Sequence, residues 1–542
     1  MADGSRSSLG TIPQGWVRVA VPSVADLIFV ALLCALVVRP LSVCLLGDAG
    51  IGWHIRAGQQ ILATHTIPRV DPFSTQIQKP WIAWEWLYDV IVGRLESSAG
   101  LNGVVWFTAV LIAAVFAALF RLLVSRGAHI LVAVVLTLLA MSASTIHFLA
   151  RPHVVSWLFA LAWFWILDST ESAVHRSNRR LWLLPILMLI WANIHGGFLL
   201  GFVLLAIYWL GSLWTWLRLK ESRIEEALEK ITAGKRVREL TLVGLVAALA
   251  SFVNPYGWNL HAHIYSYLSS RFFMNHIEEF QSPNFHGLAP KCFLVLLLIA
   301  IAVLAARGIK LRSSQILLAL FAVGAALYSS RNIPTSSLFV AAIAGPLIRW
   351  LGGKTLMGRM SAVDSTLRGH VWPIMASIAT LMIALNGGRL GSVVLMDAHF
   401  DPRRMPVAAV NFLENQEAHA LAVQDRSAAQ IPQCYRAVQS VDYWGGYLIY
   451  RLYPNNKVVI DDRHDFYGEL FLKSYLTTMH VEPGWEEFLK WRASCLLLPR
   501  NAALAQILSE TPAWKAVYND DVAVVFVRTH WPPEDQDRAP NY

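Results

Sequence analysis

The sequence predicts a membrane α-helical bundle of about 11 transmembrane helices followed by a C-terminal extracytoplasmic α/β domain. Three observations support this fold class. Of the 542 residues, 56% are hydrophobic and only 15% are charged, a balance that a soluble protein of this length does not need. Apolar runs long enough to form membrane helices recur along residues 1–395. Residues 396–542 return to ordinary polarity, with patterns typical of short strands and helices.

Eleven apolar runs are candidate membrane spans, because a spanning helix needs about 20 predominantly apolar residues. The runs lie near residues 24–46, 104–124, 127–149, 154–168, 181–196, 198–216, 239–253, 291–306, 313–329, 335–350 and 371–395. The first run is long, contains Arg39-Pro40 and lacks a clear small-x-small cleavage site. We therefore predict a retained signal anchor in a multi-pass membrane protein.

Basic residues are concentrated in alternate connections between these runs. The basic connections are residues 120–127, 175–180, 218–238, 306–312 and 349–359. Because short loops rich in Lys and Arg stay on the cytoplasmic side, these connections and the N-terminus are predicted to be inside. The formal net charge of +9 has the same explanation, so nucleic-acid binding is not indicated.

The other connections are then predicted to face outward, and they contain the motif-like segments of the chain. They are the first outer loop (residues 47–103), "ARPH" (150–153), "NIHGG" (193–197), residues 254–290 and "SSRNIP" (329–334). Ionisable groups at helix ends are costly in a membrane unless they serve a function. The outer face is therefore predicted to be the functional face, although simple loop polarity is the alternative.

Residues 396–542 are predicted to form an α/β domain that an odd number of spans places outside. Helices are expected at "PVAAVNFLENQ" (406–416) and "YLIYRLYP" (447–454). Strands are expected at "ALAVQD" (420–425), "KVVIDDR" (457–463) and "CLLLPR" (495–500), with a hairpin over residues 514–529. Because the domain follows the last span closely, we expect it to rest on the outer face of the bundle.

The five cysteines define neither a disulfide scaffold nor a structural zinc site, since their spacings lack CxxC or Cys/His patterns. Cys34, Cys44 and Cys292 lie in or beside apolar runs and are expected to be small core residues. A disulfide between Cys434 and Cys495 requires export of the C-terminal domain, and the sequence leaves this pairing open.

The first outer loop is predicted to contain a short helix lying in the membrane interface, because four of its residues share an apolar helical face. These residues are Ile51, Ile55, Gly58 and Leu62. An aromatic anchor around Glu85 is expected to follow at the level of the headgroups. It consists of Trp81, Trp84, Trp86 and Tyr88. Asp48 would then lie at the outer end of the first span, beneath the interfacial helix.

At these residues the sequence resembles the GT-C superfamily of multi-spanning glycosyltransferases, and more closely a bacterial group of membrane proteins. The matching residues in the first outer loop are Asp48, Trp53, His54, Gly58, Ile61, Pro68, Asp71, Pro72, Phe73, Ser74, Trp81, Glu85, Trp86 and Leu87. Further matching segments are "RPH", "WANIHGGF", "NPYG", "SRNIP", "DYWGGYLIY" and "VVIDDRHDFYG". Trp84 stands where the group has a histidine, so no acid–base or metal role is assigned to that position.

The resemblance implies an active site on the extracytoplasmic face of a bacterial cytoplasmic (inner) membrane. It also implies a polyprenyl-phosphate-linked sugar donor and an acidic residue in the first outer loop that acts as a base or a metal ligand. A divalent metal ion, Mg²⁺ or Mn²⁺, is accordingly a candidate cofactor, with Asp48 as its candidate ligand. The expected partners are this donor, a lipid, glycan or protein acceptor, and membrane lipids.

Glycosyl transfer needs a carboxylate that takes a proton from the acceptor hydroxyl or orients it. Asp48 is the candidate base, and its alternative is a plain aspartate at a helix end. Asp71 is a second candidate acid or metal ligand, but "DPFS" also makes a good turn, which we favour. Glu85, among tryptophans, is either a site acid or an interface residue.

Cations must offset the charge on the departing phosphate, and arginine suits bidentate phosphate contacts. Arg151 and Arg331 lie at the outer ends of separate spans, where the alternative is that they snorkel to lipid headgroups. Three histidines on the same face are further binding candidates, with packing as their alternative. They are His54, His153 and His195.

Two more groups of polar residues are weaker candidates. Asn254 and Tyr256 in "NPYG" are expected to bind substrate or to end a helix. The segment "DDRHD" follows a predicted strand, a common place for a site, but an internal ion-pair cluster is slightly favoured. Its members are Asp461, Asp462, Arg463 and Asp465.

The favoured function is transfer of a sugar from a polyprenyl-phosphate carrier to an acceptor outside. One alternative is a ligase or polymerase acting on a lipid-pyrophosphate glycan, which would rely on Arg and His more than on Asp48. Another is a polyprenyl-lipid transporter or a membrane scaffold without enzymatic activity. The enzyme interpretations require Asp48 and an outer cationic group in one cavity, whereas a transporter needs a polar path to the inner face.

Overall fold

The computed structural model describes residues 15–76, 79–171, 178–220, 223–307, 311–348, 356–422, 437–492 and 495–529. Helices dominate the bundle. They are α1 (Val17–Ala20), α2 (Val24–Val37), α3 (Leu41–Leu45), α4 (Ile51–Thr64), α5 (Trp86–Ser125), α6 (Ile130–Ser144), α7 (His153–Glu171), α8 (Leu183–Ala192), α9 (Leu199–Arg218), α10 (Ile224–Ser251), α11 (Trp258–Ser269), α12 (Arg271–His276), α13 (Leu288–Arg307), α14 (Ser313–Tyr328), α15 (Ile333–Ala344), α16 (Leu356–Thr366) and α17 (Val371–Leu385). A bundle followed by an α/β domain confirms the predicted fold class.

The chain is a multi-pass membrane protein, and each of the eleven predicted runs contains a helix. Within the described part of the chain, six helices are long and apolar enough to cross a membrane. They are Val17–Val37, Trp86–Ser125, Ile130–His147, His153–Glu171, Gly196–Arg218 and Leu288–Ala306. The pair Met360–Thr366 and Val371–Leu385, bent by 64°, would make a seventh. A total of eleven spans therefore stays a prediction.

Ion pairs join the predicted inner connections at one end of the bundle. Arg126, which follows α5, pairs with Asp168 near the end of α7. Arg312, which precedes α14, donates to the same carboxylate over 2.6 Å. Arg236 of α10 donates to the Leu167 carbonyl over 2.6 Å. The connections whose basic residues predict a cytoplasmic location thus lie together at one end of the bundle. We call this the inner end and the opposite one the outer end.

The first outer loop is more helical and more buried than expected. Its interfacial helix exists as α4, but this helix is packed between α5 and the C-terminal domain. His54, which the sequence placed away from the apolar face, is fully buried for this reason. Residues 86–99 are also helical. They form the first part of α5, which begins at Trp86 and is kinked at Gly100, where φ is +59°.

The C-terminal domain follows a small ribbon of β1 (Arg389–Leu390) and β2 (Val393–Val394), so the last predicted run is helical only to Leu385. Its helices are α18 (Val407–Ala422), α19 (Asp442–Leu452), α20 (His464–Tyr467), α21 (Glu469–Met479), α22 (Glu486–Arg492) and α23 (Ala503–Glu510). Its strands are β3 (Ala437–Ser440), β4 (Lys457–Val458), β5 (Cys495–Pro499), β6 (Trp514–Asn519) and β7 (Ala523–Arg528).

These strands form one mixed sheet in the order β4-β3-β5-β7-β6, with β3 parallel to β4 and β5 and the rest antiparallel. The predicted hairpin is confirmed, and its turn is held by Asp520, whose Oδ1 accepts from the backbone N–H groups of Val522 and Ala523 over 2.7 Å each. The strand predicted at residues 420–425 is wrong in its described part, because α18 continues to Ala422. Residues 423–425 and Cys434 lie outside the described residues, so the Cys434–Cys495 pairing stays open.

Close backbone approaches help to dock this domain on the first outer loop. The "DPFS" segment extends the sheet beside β4, since Thr75 N–H donates to the Val458 carbonyl (2.9 Å) and Val458 N–H to the Phe73 carbonyl (3.0 Å). Helices α4 and α19 approach so closely at Gly52 and Gly446 that a Cβ on either glycine would clash with backbone atoms of the other segment. Glycine permits this approach because it carries no side chain.

Replacing Gly446 by alanine should weaken the docking, because its Cβ would press on the backbone of residues 49–50. Overpacking of this kind costs about 1–3 kcal/mol. We expect a lower apparent melting temperature in nanodiscs and faster proteolysis of the C-terminal domain. Gly324→Ala is the matched control, because Gly324 is an exposed helical glycine whose Cβ would meet nothing within 4 Å. Equal melting temperatures for the two variants would contradict the prediction.

Candidate active site

A polar cavity lies at the outer end of the bundle, where the C-terminal domain meets the helices. Its walls come from the first outer loop, from the connections after α6, α8 and α14, from α11 and the segment after α12, and from the segment after β4. The lining residues are Asp48, Trp53, Trp81, Trp84, Glu85, His147, Leu149, Arg151, Pro152, His153, His195, Tyr267, Glu279, Arg331, Asp462, Arg463 and Asp465. The connections that were predicted to face outward therefore meet around one space.

Six of the ten predicted site residues line this cavity. They are Asp48, Glu85, Arg151, His153, His195 and Arg331. The other four lie outside its lining and are described below. They are His54, Asp71, Asn254 and Tyr256. The structure thus brings together the candidate base, the candidate site acid and both candidate phosphate ligands.

Arg151 joins two carboxylates that come from opposite parts of the chain. Its Nε donates to Asp48 Oδ2 over 3.0 Å, and its Nη2 pairs with Asp462 of the C-terminal domain. Burial opposes the charge of Arg151, but the carboxylates of Asp462 and Asp48 raise the pKa of the guanidinium well above its usual value. We call this arrangement of three residues the Arg151 clasp.

The other oxygens of the clasp carboxylates also accept hydrogen bonds. Asp48 Oδ1 accepts from the Gly50 backbone N–H over 2.8 Å, and Asp462 Oδ1 accepts from Trp53 Nε1 over 3.1 Å. A Cβ on Gly50 would overlap the Arg151 guanidinium and the Asp462 carboxylate. The run "GDAGIG" therefore supplies an acid, a backbone donor and the space for the clasp.

Glu85 lies on another wall between two histidines. Its Oε1 is 3.7 Å from His195 Nε2, and its Oε2 is 3.8 Å from His54 Nε2. Burial raises the pKa of Glu85 to about 8, although the charge of Arg151 opposes this shift. The carboxyl group is therefore mostly protonated at pH 7, so that it can donate a hydrogen bond.

The two histidines beside Glu85 are neutral. Burial, with the positive charges of Arg331 and Arg151, lowers the pKa of His195 to about 3. Gly197 N–H donates to His195 Nδ1 over 3.0 Å, so the proton of this neutral ring resides on Nε2, facing Glu85. Burial also lowers the pKa of His54 well below its usual value, and its Nδ1 lies 2.6 Å from an oxygen of Asp89.

Arg331 adds a second guanidinium to the cavity. It pairs with Glu279, and it lies 5.2 Å from the centre of the Phe280 ring. Its side chain is 34% exposed, more than that of Arg151. The positive charge of Arg331 is therefore held in place while part of the guanidinium faces open space.

Asp71 holds the domain and does not reach the cavity. Its Oδ2 accepts from the Ser74 backbone N–H over 2.8 Å, which is the turn that "DPFS" predicts. Its Oδ1 accepts from Arg463 Nη1 over 2.7 Å. Burial would raise the pKa of Asp71, but the Arg463 charge lowers it below its usual value. Asp71 is thus a structural carboxylate that ties the first outer loop to the segment after β4.

The "NPYG" segment stabilises local structure, and Asn254 and Tyr256 do not line the cavity. Asn254 Oδ1 accepts from the Tyr256 backbone N–H over 2.8 Å, which closes a turn after α10. The Tyr256 hydroxyl accepts from the Ala83 backbone N–H over 2.9 Å, and Arg69 lies 4.7 Å over its ring. These contacts support the wall that carries Glu85.

The cavity contains charged residues that were not among the ten sequence candidates. Asp462 and Asp465 lie in "DDRHD" after β4, and Asp465 accepts from His263 Nε2 over 2.8 Å. Glu279 follows α12. The position of "DDRHD" after a strand was the available signal for the first two, whereas Glu279 lies in a connection without a recognisable motif.

A divalent metal does not fit the residues present. In the part of the chain that the structure describes, no three His, Cys, Asp or Glu side chains form a metal-binding group. Both oxygens of Asp48, the candidate ligand, accept hydrogen bonds from N–H donors. Mg²⁺ and similar ions instead need several oxygen ligands in a near-octahedral arrangement.

No family model and no curated protein sequence matches the chain. Comparison with solved structures shows that the chain shares the fold of an archaeal membrane oligosaccharyltransferase. The chain is similar to the oligosaccharyltransferase AglB from Archaeoglobus fulgidus, solved with an inhibitory peptide and a dolichol-phosphate, at 11% identity and a TM-score of 0.53, over 94% of this chain and 74% of that one. The apo form of the A. fulgidus oligosaccharyltransferase gives 12% identity and 0.52 over the same shares.

The fold is thus shared from the first span to the C-terminal domain at low sequence identity. ArnT from Cupriavidus metallidurans in the apo state also matches, at 12% identity and a TM-score of 0.49, over 92% of this chain and 97% of that one. The fold that the sequence resemblance implies agrees with the match to the A. fulgidus oligosaccharyltransferase.

Protonation of Glu85 at neutral pH can be measured by infrared titration. The wild type should show a carboxylic-acid carbonyl band that disappears as the pH rises through about 8, and Glu85→Gln should lack it. Glu278→Gln is the control, because Glu278 is exposed in the same protein. A Glu85-dependent band that titrates near 4.5, the ordinary value for glutamate, would refute the assignment.

Proposed function

We propose that the chain is a glycosyltransferase that moves a sugar from a polyprenyl-phosphate-linked donor to an acceptor at the outer face of a bacterial cytoplasmic membrane. The observation that carries the proposal is the convergence of a carboxylate and two guanidinium groups in one cavity at the outer end of the bundle. They belong to Asp48, Arg151 and Arg331. The dolichol-phosphate in the AglB structure supports the same class of donor for this fold.

The two arginines suit the phosphate of such a donor. When the bond between the sugar and the phosphate breaks, negative charge grows on the departing polyprenyl phosphate, and preorganised cations offset it. Arg331 is the more exposed of the two, so it is the better candidate for direct phosphate contact. Protonated Glu85 can donate a further hydrogen bond to a phosphate oxygen, because its pKa is raised to about 8.

Asp48 is proposed as the group that orients the acceptor and takes its proton. As the acceptor oxygen bonds to the anomeric carbon and the bond to phosphate breaks, the acceptor hydroxyl loses its proton to the Asp48 carboxylate. Glu85 is a poor base at pH 7 because its carboxyl group is protonated. The two carboxyl groups are therefore assigned opposite roles, with Asp48 as the acceptor of protons and Glu85 as a donor of hydrogen bonds.

The same cavity is less suited to transport. A transporter needs a polar route from the outer to the inner end of the bundle. Between the two ends, α5 and α7 contribute large or close-packed apolar side chains to the core, among them Ile112, Phe116, Ala160 and Phe164. An enzyme that works at one end is therefore favoured.

The phosphate site can be tested by native mass spectrometry of the detergent-purified protein. We expect wild type to retain polyprenyl phosphate and Arg151→Ala/Arg331→Ala to lose at least 90% of it, on the order of a tenfold change or about 1.4 kcal/mol. Arg403→Ala/Arg500→Ala is the control that removes the same charge from exposed arginines outside the cavity. Equal retention by both double variants would refute the site, and retention of a polyprenyl diphosphate would favour the ligase or polymerase alternative.

Asp48→Asn should lower sugar transfer by about 10²–10⁴-fold, the usual contribution of a positioned base. Release of sugar-free carrier from undecaprenyl-phosphate-linked hexoses and pentoses, with outer-membrane and cell-wall extracts as acceptors, measures the rate. Bound polyprenyl phosphate should fall less than in Arg151→Ala/Arg331→Ala, since Asp48→Asn alters only one contact of Arg151 and leaves Arg331 in place. Wild-type rates in a folded Asp48→Asn variant would exclude Asp48 as the base.

A further inference from the structure

We infer that Arg151 is the built-in cation of this site, and that its guanidinium occupies the place between Asp48 and Asp462 that a divalent metal would otherwise take. The inference rests on the proposed function and specifies how its site is assembled. The C-terminal domain supplies one of the two carboxylates, so it completes the site by positioning Arg151 and Asp48.

The first support is that all four carboxylate oxygens of the clasp accept from nitrogen donors. Arg151 donates to one oxygen of each carboxylate. The Gly50 backbone N–H and Trp53 Nε1 donate to the other two oxygens. Nitrogen donors that carry hydrogen cannot ligate a metal, and each occupies a lone-pair direction that a metal would need. The guanidinium thus offsets the charge of both carboxylates, while each oxygen keeps a second lone pair for a further hydrogen bond.

The second support is the space left by Gly50. A Cβ at this position would coincide with the Arg151 guanidinium and with the Asp462 carboxylate, so the backbone is shaped around the ion pair. Arg151 itself lies just before α7, next to Ala150, whose N–H donates to the Leu45 carbonyl over 2.8 Å. Both sides of the clasp are therefore fixed by backbone.

The third support is electrostatic. The side chains of Arg151, Asp48 and Asp462 are 20%, 30% and 17% exposed, so the two carboxylates share one guanidinium in a partly buried position. A cation between two like charges at such a site offsets their repulsion. A guanidinium provides it covalently and cannot be deprotonated or exchanged, unlike a bound ion.

The test is Mn²⁺ binding to the full-length protein, followed by electron paramagnetic resonance. Wild type and Arg403→Ala, in which an exposed Arg–Asp pair is removed, should show only weak binding. Arg151→Ala should gain one site that binds Mn²⁺ at least tenfold more tightly, because the two carboxylates then face each other without a cation. Adding Asp462→Asn to Arg151→Ala should abolish that site.

Three outcomes would overturn the inference. They are a stoichiometric Mn²⁺ site in wild type that Asp48→Asn removes, a folded Arg151→Ala variant that binds no more Mn²⁺ than Arg403→Ala, and loss of wild-type sugar transfer in EDTA with recovery on adding Mn²⁺. If Arg151→Ala does not fold, the wild-type measurements decide alone, with unchanged transfer in EDTA as the supporting result. Failure of the proposed function is distinguishable, since Mn²⁺ binding needs no substrate.

Discussion

The buried pairing of Arg463 with Asp71 and Asp461 is the interaction on which the arrangement of the cavity depends. Arg463 donates to Asp71 over 2.7 Å and to the two oxygens of Asp461 over 2.8 and 2.7 Å. Removing one partner of such a buried pair costs about 3–5 kcal/mol, because a charge is left without compensation. Arg463 thereby fixes the first outer loop against the segment after β4, next to Asp462, which pairs with Arg151.

Much of the architecture could be predicted because it follows from two strong patterns, apolar length and the distribution of basic residues. The inner-end pairs that Arg126 and Arg312 make with Asp168 agree with the assignment of basic connections to one side. Short elements were harder to predict. The strand β3 has four residues, and the predicted strand at 420–425 begins inside a helix, because local apolar alternation does not distinguish a short strand from the end of a helix.

The sequence predicted many of the residues that line the cavity, but not the contacts that these residues make. Residue type and the position of a helix end pointed to Arg151 and Arg331, but sequence could not show that each is already paired with a carboxylate from a distant segment. The same applies to Asp71, whose turn was predictable while its partner, about 390 residues later in the chain, was not. Pairings across such separations depend on the fold and leave no local pattern.

The "DPFS" segment of the first outer loop has a second structural role, because it pairs with the edge of the C-terminal sheet. Phe73 and Thr75 cover the hydrogen-bonding edge of β4, which would otherwise be an open strand. An unpaired strand edge can pair with another chain. The C-terminal domain expressed by itself would therefore tend to self-associate through β4. The first outer loop thus protects the edge of the C-terminal sheet, so the two parts of the protein stabilise each other.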